Sequence, residues 1–427
     1  MAKDSYLQRR KLVRKRFKSV LTAFKDLYYY GCEVDKWLPE VMLLPFITLQ
    51  WKLNPTWYRI IAPPGSGKTV HLSYLHEYEK AFCVDEFTPK SFVSGFRGAG
   101  GDDPSKIPQF NGKVLIIADE STFMEQRSDD RNAIQAILRR SFDGTISKGF
   151  GNMKEVQTYK SRFNVLVAST PQIDRYFVYN TALGERYVNY RLQIPNRLLL
   201  VERAYENQFR KQQASYKRLS ADVHRYLRKM PRIGINDIEI SKRAKKCIIE
   251  CADFVARTRT RVTRDVTGRY ITTLPQVETA GRLVSQMTQT ALANAALHGS
   301  GEVEDTHLEK ATYMGLCSIT AVSTFVLHNA WLYHKWCIVA NKSTWFSIQT
   351  IVGRTALGRA SVAKILEDLA IHRILDTRAG AKQGGRLIEY RISKHTIRTV
   401  KTIKLFKHYK PPTDKIINKK RKDRQRN

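Results

Sequence analysis

The sequence predicts an α/β protein: a parallel-sheet core built to hold a nucleotide, a mostly helical stretch after it, and a small helix-turn-helix unit closed by a β-hairpin. Three observations predict this. A glycine-rich loop stands between an apolar strand and a helix start, from Trp57 to Thr69. An apolar run, Val114 to Ala118, ends in two carboxylates, Asp119 and Glu120. Two amphipathic helices joined by a short turn precede a Gly-rich hairpin between Ser347 and Ile392.

Taken in order, residues 1–50 begin as a basic helix whose apolar stripe is Tyr6, Leu7, Leu12, Val13, Phe17, Val20, Leu21 and Phe24. This helix packs on the core or lays its other face on DNA. Leu38 to Leu49 is apolar and carries Pro39 and Pro45, which suggests a connector packed on the core. The strand Trp57 to Ile61 then runs into Ala62-Pro63-Pro64-Gly65-Ser66-Gly67-Lys68-Thr69. In the loop Pro64-Gly65-Ser66-Gly67, the glycines at 65 and 67 let backbone N–H groups turn inward and cradle the phosphates. Lys68 reaches the β/γ-phosphates of ATP, Thr69 ligates Mg²⁺, and the helix start adds its positive end. Ala62 stands where the consensus loop begins with Gly, which leaves these mechanics intact.

A short strand, Ala81 to Val84, precedes a Gly- and Asp-rich exposed loop from Arg97 to Ser105. The next strand is apolar throughout, as one buried on both faces must be, and ligands in such sheets sit beyond the carboxyl ends of the strands. There Asp119 can hold Mg²⁺ and Glu120 can polarise the attacking water. An amphipathic helix, Arg131 to Phe142, leads into a hairpin from Asp143 to Tyr159 with Gly149, Gly151 and Asn152 at its tip. Lys148, Phe150 and Lys154 near that tip offer cations for phosphates and a ring for sugar or base. The strand Asn164 to Ala168 ends in Ser169-Thr170, where the Thr170 hydroxyl can meet the γ-phosphate or the lytic water.

Residues 200–335 read as mostly helical, with one long helix opening near Pro275 and running through His298. Ala311 to Tyr333 holds no Lys, Arg, Asp or Glu, yet its Thr, Ser, His and Asn content fits a buried helix better than a membrane span. At the C-terminal end, Ser347 to Arg354 and Arg359 to His372 form two helices, the second with Val362, Ile365, Leu366 and Leu369 as its inner face. Ile374 to Arg378 pairs with Arg386 to Ile392 across a Gly-rich loop. This is a winged helix-turn-helix. Its second helix offers Arg359, Ser361 and Lys364 to a DNA major groove, and Arg378, Lys382 and Arg386 lie on the wing and its flanks.

Charge points to the same kind of partner. The 427 residues carry a formal net charge of +34 with a pI near 10.0. Residues 1–18 hold eight Lys/Arg against Asp4, residues 401–427 hold eleven against Asp414 and Asp423, and without both runs the body keeps about +18. A basic body with basic ends predicts a nucleic acid, single- or double-stranded DNA, and no membrane. The last segment, 401–427, is expected to be disordered and to raise non-specific affinity. Six cysteines without paired C-x-x-C spacing predict reduced thiols in a cytoplasmic protein, nucleoid-associated in a bacterium. No apolar stretch follows the basic N-terminus in the manner of a secretory signal.

This order of parts resembles the AAA+ ATPases: phosphate loop, Asp-Glu strand, helix and hairpin, strand with a polar end, then Leu183 to Leu192 containing Arg186 and Arg191. The hairpin ahead of the polar-ended strand resembles the branch of minichromosome-maintenance helicases and replication ATPases of phages, plasmids and integrated elements. The resemblance extends over about residues 55–400. It implies an AAA+ core over 51–200, a helical lid over 201–335 and a winged helix over 336–400. It further implies that Thr170 is the first sensor, a position usually Asn in that branch, and that Arg186 is the arginine finger given to a neighbour's ATP, with Arg191 as the alternative. By the same resemblance Arg282 acts as a second sensor from the lid. A finger acting in trans implies a closed homo-oligomeric ring, a hexamer, with ATP and Mg²⁺ at its interfaces. The functions that fit are a replicative helicase or initiator of a mobile element, an ATP-switched initiator or loader without unwinding, a transposition or defence ATPase, and an ATP-gated DNA-binding regulator.

Overall fold

The computed structural model describes residues 2–27, 35–51, 53–96, 102–151, 154–176, 185–194, 197–208, 212–230, 233–268, 270–380 and 387–411. The chain forms two compact units, each discontinuous: Met1–Ile173 with Arg186–Ser241 and Thr288–Lys310, and Asp174–Glu185 with Lys242–Met287 and Ala311–Asn427.

The first unit is built on five parallel strands, β1 (Trp57–Ile61), β2 (Ala81–Val84), β3 (Val114–Ile117), β6 (Asn164–Ser169) and β7 (Tyr187–Arg191). A separate antiparallel pair, β4 (Thr145–Lys148) and β5 (Gln157–Lys160), makes the hairpin. The sheet order is β2-β3-β6-β1-β7. With helices around it, this is an α/β core of the phosphate-loop type. β1, β3 and β6 are buried along their whole length, which is why their sequences are nearly continuous apolar runs. Trp57 anchors the centre: its indole N–H donates to Phe163 O at 3.2 Å while its ring packs edge-on against Phe142.

Leu38–Leu49 corrects the sequence reading. It is a helix, and Leu38 to Thr48 are buried. Pro39 occupies the first turn, where its missing N–H is no loss. Pro45 is tolerated inside because the helix is packed on every side, and its carbonyl accepts from Asn164 Nδ2 at 2.7 Å. The basic helix Ala2–Leu27 docks by Val13, Phe17, Val20 and Phe24, whereas Leu7 and Leu12 are exposed. Arg10 and Arg16 tie it down by donating to the carbonyls of Asp237 and Lys229 at 2.7 and 2.6 Å. Glu40 is buried and satisfied by Lys310 and by His298 Nε2 at 2.8 Å, so its acid stays below the ordinary range despite burial.

The second unit contains the helices Lys242–Arg259, Ala321–Val339, Ile348–Thr355, Arg359–Ile371 and Lys394–Thr402. Its antiparallel sheet has the order β8-β10-β9, with β8 at Phe346–Ser347, β9 at Leu375–Gly380 and β10 at Leu387–Ile392. Ser347 caps the first helix of the pair through Thr350 N, and Ala356 in the left-handed region ends it (φ 57). Val362, Ile365, Leu366 and Leu369 are buried, as their spacing predicts. The apolar stretch read as one helix is two, Asp305–Cys317 and Ala321–Val339, bent by 114°. Thr320 stops the first and caps the second by accepting from Ser323 N. No single described helix is long and apolar enough to cross a membrane.

Candidate nucleotide site

Strand order decides what meets the phosphate loop. β6 lies between β1 and β3, with Ile61 opposite Ser169 and Ile117 opposite Val167. Two hydrogen bonds carry this register past the strand ends: Ala62 N to Ser169 O at 3.1 Å and Glu120 N to Ala168 O at 2.8 Å. The loop, Thr170 and the two carboxylates therefore emerge along one edge of the sheet. This is the carboxyl edge, where ligands of parallel sheets bind.

Gly65 and Gly67 both have left-handed backbones, φ 70 and φ 74, which only glycine adopts without strain. Among the described residues neither of their N–H groups meets a backbone carbonyl, and a Cβ at Gly65 would face open space. The Ser66 hydroxyl is buried and has no hydrogen-bond partner. Ser66 N donates to Pro63 O at 3.3 Å, and the two glycine N–H groups without a backbone acceptor fit an anion. The helix behind them, Lys68–Ser73, is six residues long, so the cradle owes more to the loop's own N–H groups than to a dipole.

Lys68 folds back on the loop, donating to Ala62 O at 2.9 Å and Pro63 O at 3.1 Å. Burial pushes its pKa down, opposed by the Asp119 carboxylate. Thr69 is exposed. Asp119 is half-buried, and its Oδ1 accepts from Ser121 N at 3.0 Å and Ser121 Oγ at 2.8 Å. A hydroxyl and one carboxylate beside a phosphate site fit Mg²⁺, which keeps most of its water and takes one or two protein oxygens. Among the described residues no cluster of three or more His, Cys, Asp or Glu could hold a metal by itself.

Glu120 is where the structure adds most. Its carboxylate is 2% exposed and accepts from Arg59 Nε at 2.8 Å and from Arg59 Nη2 at 2.9 Å, a fork-to-fork pair inside the sheet. Arg59, on β1, is 3% exposed, also donates to Asn189 Oδ1 at 3.2 Å, and lies 4.0 Å over the Tyr187 ring. Sequence reading missed Arg59, Asn189 and Tyr187. The signal was present, since a cation inside the buried strand Trp57–Ile61 needs an acid.

The two candidate fingers lie at opposite ends of β7. Arg191 pairs in register with Ile61, directly below the loop. Arg186 precedes Tyr187, which pairs with Trp57 at the far end of β1, and its guanidinium lies 5.8 Å from the Phe142 ring. Arg186 therefore stands away from the loop of its own chain. Arg282 belongs to the second unit, where it donates to Glu185 O at 3.2 Å and stands 3.9 Å from Glu278.

The hairpin's two strands pair, with Lys148 opposite Gln157 at the last pair, while Asn152 of the expected tip lies outside the described residues. Lys148 lies 5.3 Å over the Phe150 ring, and Lys154 is exposed. At the hairpin's base Tyr159 donates to Asp103 at 2.8 Å. In the second unit Arg359, Ser361 and Lys364 are exposed along one helix. Arg378 is engaged by Glu389 at 2.8 Å and lies 4.5 Å over Trp345. Lys382 and Arg386 lie outside the described residues.

His71, behind the loop, is fully buried, and burial pushes its imidazole down to about 3. The folded chain keeps it neutral while an unfolded chain protonates it below about 6.5, so its contribution to stability is full at neutral pH and is lost as pH falls from about 6.5 toward 3. Between about pH 7 and pH 5 that loss is about 2 kcal/mol. His71→Leu should remove this share from the acid sensitivity of urea unfolding; equal sensitivity in both proteins would refute the assignment.

No protein-family description matches this chain, and no curated protein is similar to it. Among solved structures the chain is similar to a protein of Cytophaga hutchinsonii provisionally named as an ATPase, at 14% identity over 73% of this chain and 89% of that one, with a TM-score of 0.43. A similarity that shallow carries no weight for function, and the reading rests on the geometry of the site.

Proposed function

We propose that this chain is a DNA-dependent ATPase of the AAA+ type, acting as a homo-oligomeric ring in the replication of a mobile element. The observation that carries the ATPase part is the shared edge: unpaired loop N–H groups, Lys68, Thr170 and the Asp119–Glu120 pair all end there because β6 separates β1 from β3. In this reading the loop and Lys68 bind the phosphates, and Thr69 and Asp119 hold Mg²⁺, which when bound offsets charge on the β- and γ-oxygens. Glu120 polarises the attacking water once it leaves Arg59. Thr170 orients that water, and Arg186 serves the ATP of a neighbour. Support for DNA as the partner is the net charge, the cationic hairpin tip and the exposed Arg359, Ser361 and Lys364 of a winged helix-turn-helix.

A second reading has a specific observation behind it. The buried Arg59–Glu120 pair holds the general base away from water, as an ATP-switched initiator or loader with little turnover would require.

Steady-state hydrolysis with and without single- and double-stranded DNA separates the two. The motor reading expects DNA stimulation that Lys148→Ala/Lys154→Ala removes, and a fall of about 10²–10⁴-fold with Glu120→Gln. Hydrolysis indifferent to DNA and to the hairpin changes would sink the motor and leave the switch.

A further inference from the structure

The stretch between the helix Lys242–Arg259 and Pro275 has no role in the nucleotide site, yet it is built with care. Residues 263–268 and 270–272 pair as a small hairpin: Asp265 N donates to Tyr270 O at 2.9 Å, Thr272 N donates to Thr263 O at 3.0 Å, and Arg264 bridges Ile271. Gly268 makes the turn with φ +68. Asp265 ties the tip from inside, accepting from Tyr270 N at 2.9 Å and from the Thr267 hydroxyl.

Two arginines staple this hairpin to the helix Arg359–Ile371. Arg264 binds Glu367 at 2.8 Å and Asp368 at 2.7 Å, and Arg261 reaches the other Asp368 oxygen at 3.4 Å. Glu367 and Asp368 are the only acids of that helix. Their charge is therefore offset by Arg264 and Arg261, and the exposed cations of the helix are Arg359 and Lys364, alongside a half-exposed Glu367 that Arg264 pairs.

The tip comes to the same face. A Cβ at Gly268 would stand 2.3 Å from Lys364 Nζ, so the ammonium lies against the bare Cα of the turn. Beside it Val266 is fully exposed, and the Tyr270 ring is 73% exposed. A turn whose glycine lies against a lysine and whose tyrosine is uncovered has the chemistry of a sugar–phosphate contact: a ring for the deoxyribose, a hydroxyl donor for a phosphate oxygen and a cation on the same turn.

The geometry points to the hairpin 263–272 as a second duplex-DNA contact of the helix-turn-helix unit, with Tyr270 bearing on the sugar–phosphate backbone at the rim of the groove that Arg359 and Lys364 face. This rests on the reading that the helix Arg359–Ile371 meets DNA. The hairpin's part is positioning rather than base readout: it neutralises the acids of the helix and extends its footprint along one strand.

Fluorescence anisotropy of the full chain with a short labelled duplex, repeated over a salt series, tests this. Tyr270→Ala should weaken duplex binding by about fivefold with an unchanged salt slope, and Tyr270→Phe should recover part of it. Lys364→Ala should weaken binding and lower the slope by about one. Because Tyr270 is exposed, its variants should unfold in urea like the wild type. If Tyr270→Ala binds duplex as the wild type does while Arg359→Ala and Lys364→Ala are weakened, the hairpin contact is overturned and the helix reading stands. If none of the three loses affinity, the helix reading falls and the hairpin contact with it. A loss confined to single-stranded DNA or to RNA also overturns the contact.

Discussion

Lys68→Ala is expected to lower ATP turnover by about 10²–10³-fold or more, with little change in stability. The ammonium donates to Ala62 O and Pro63 O, at the rim of a loop whose N–H groups at Gly65 and Gly67 meet no backbone acceptor among the described residues. These are contacts within the loop, so losing them frees carbonyls that water can reach. Losing the cation beside the β/γ-phosphates removes charge stabilisation where it develops in the transition state. Lys68→Arg keeps the charge and should retain part of the activity, because its planar fork cannot occupy the same point. Phosphate release and fluorescent-nucleotide binding give the two readouts. Turnover within about threefold of wild type would mean that the loop does not cradle the reacting phosphates.

Arg59→Ala is expected to destabilise the first unit by about 3–5 kcal/mol, because it leaves the Glu120 carboxylate buried and uncompensated. Glu120→Ala should cost a similar amount by stranding the guanidinium between Asn189 and the Tyr187 ring. Replacing both together by apolar residues of like volume, Arg59→Met with Glu120→Leu, should be much milder than the sum of the singles. Urea unfolding of the four proteins yields the coupling. Additive losses would show that the two side chains act independently, contrary to the bidentate geometry.

The parts of this molecule that were legible in the sequence are those whose signals are local. The glycine-rich loop needs only glycines at the right spacing, β3 only an apolar run closed by acids, and the helix Arg359–Ile371 only Val362, Ile365, Leu366 and Leu369 at helical spacing. What was not legible depends on topology. Arg59 and Glu120 meet because β6 brings β1 and β3 into one sheet, and nothing within either segment encodes that neighbour. Pro39 and Pro45 suggested a broken connector because prolines disfavour isolated helices, but tertiary burial of Leu38–Leu49 outweighs that propensity. The break at Thr320 was hidden in an uncharged run, and β8 is two residues long, too short to carry a period. The hairpin at 263–272 carries no local signal because its ion-pair partners, Glu367 and Asp368, lie about a hundred residues on.

The first unit is assembled from three separate stretches of chain, and the flank of β1 is completed late. Thr56 Oγ1 donates to Gln289 across 233 residues, and the Tyr58 hydroxyl bonds Thr290 across 232. On a ribosome adding about 5–20 residues per second, β1 and its phosphate loop therefore exist for roughly 10–50 s before the helix that seals them is made. During that interval one of the most apolar strands of the protein has an open flank, in a chain whose positive charge draws it toward nucleic acid. The flank of β1 thus waits for Gln289 and Thr290 until about two thirds of the chain has been made.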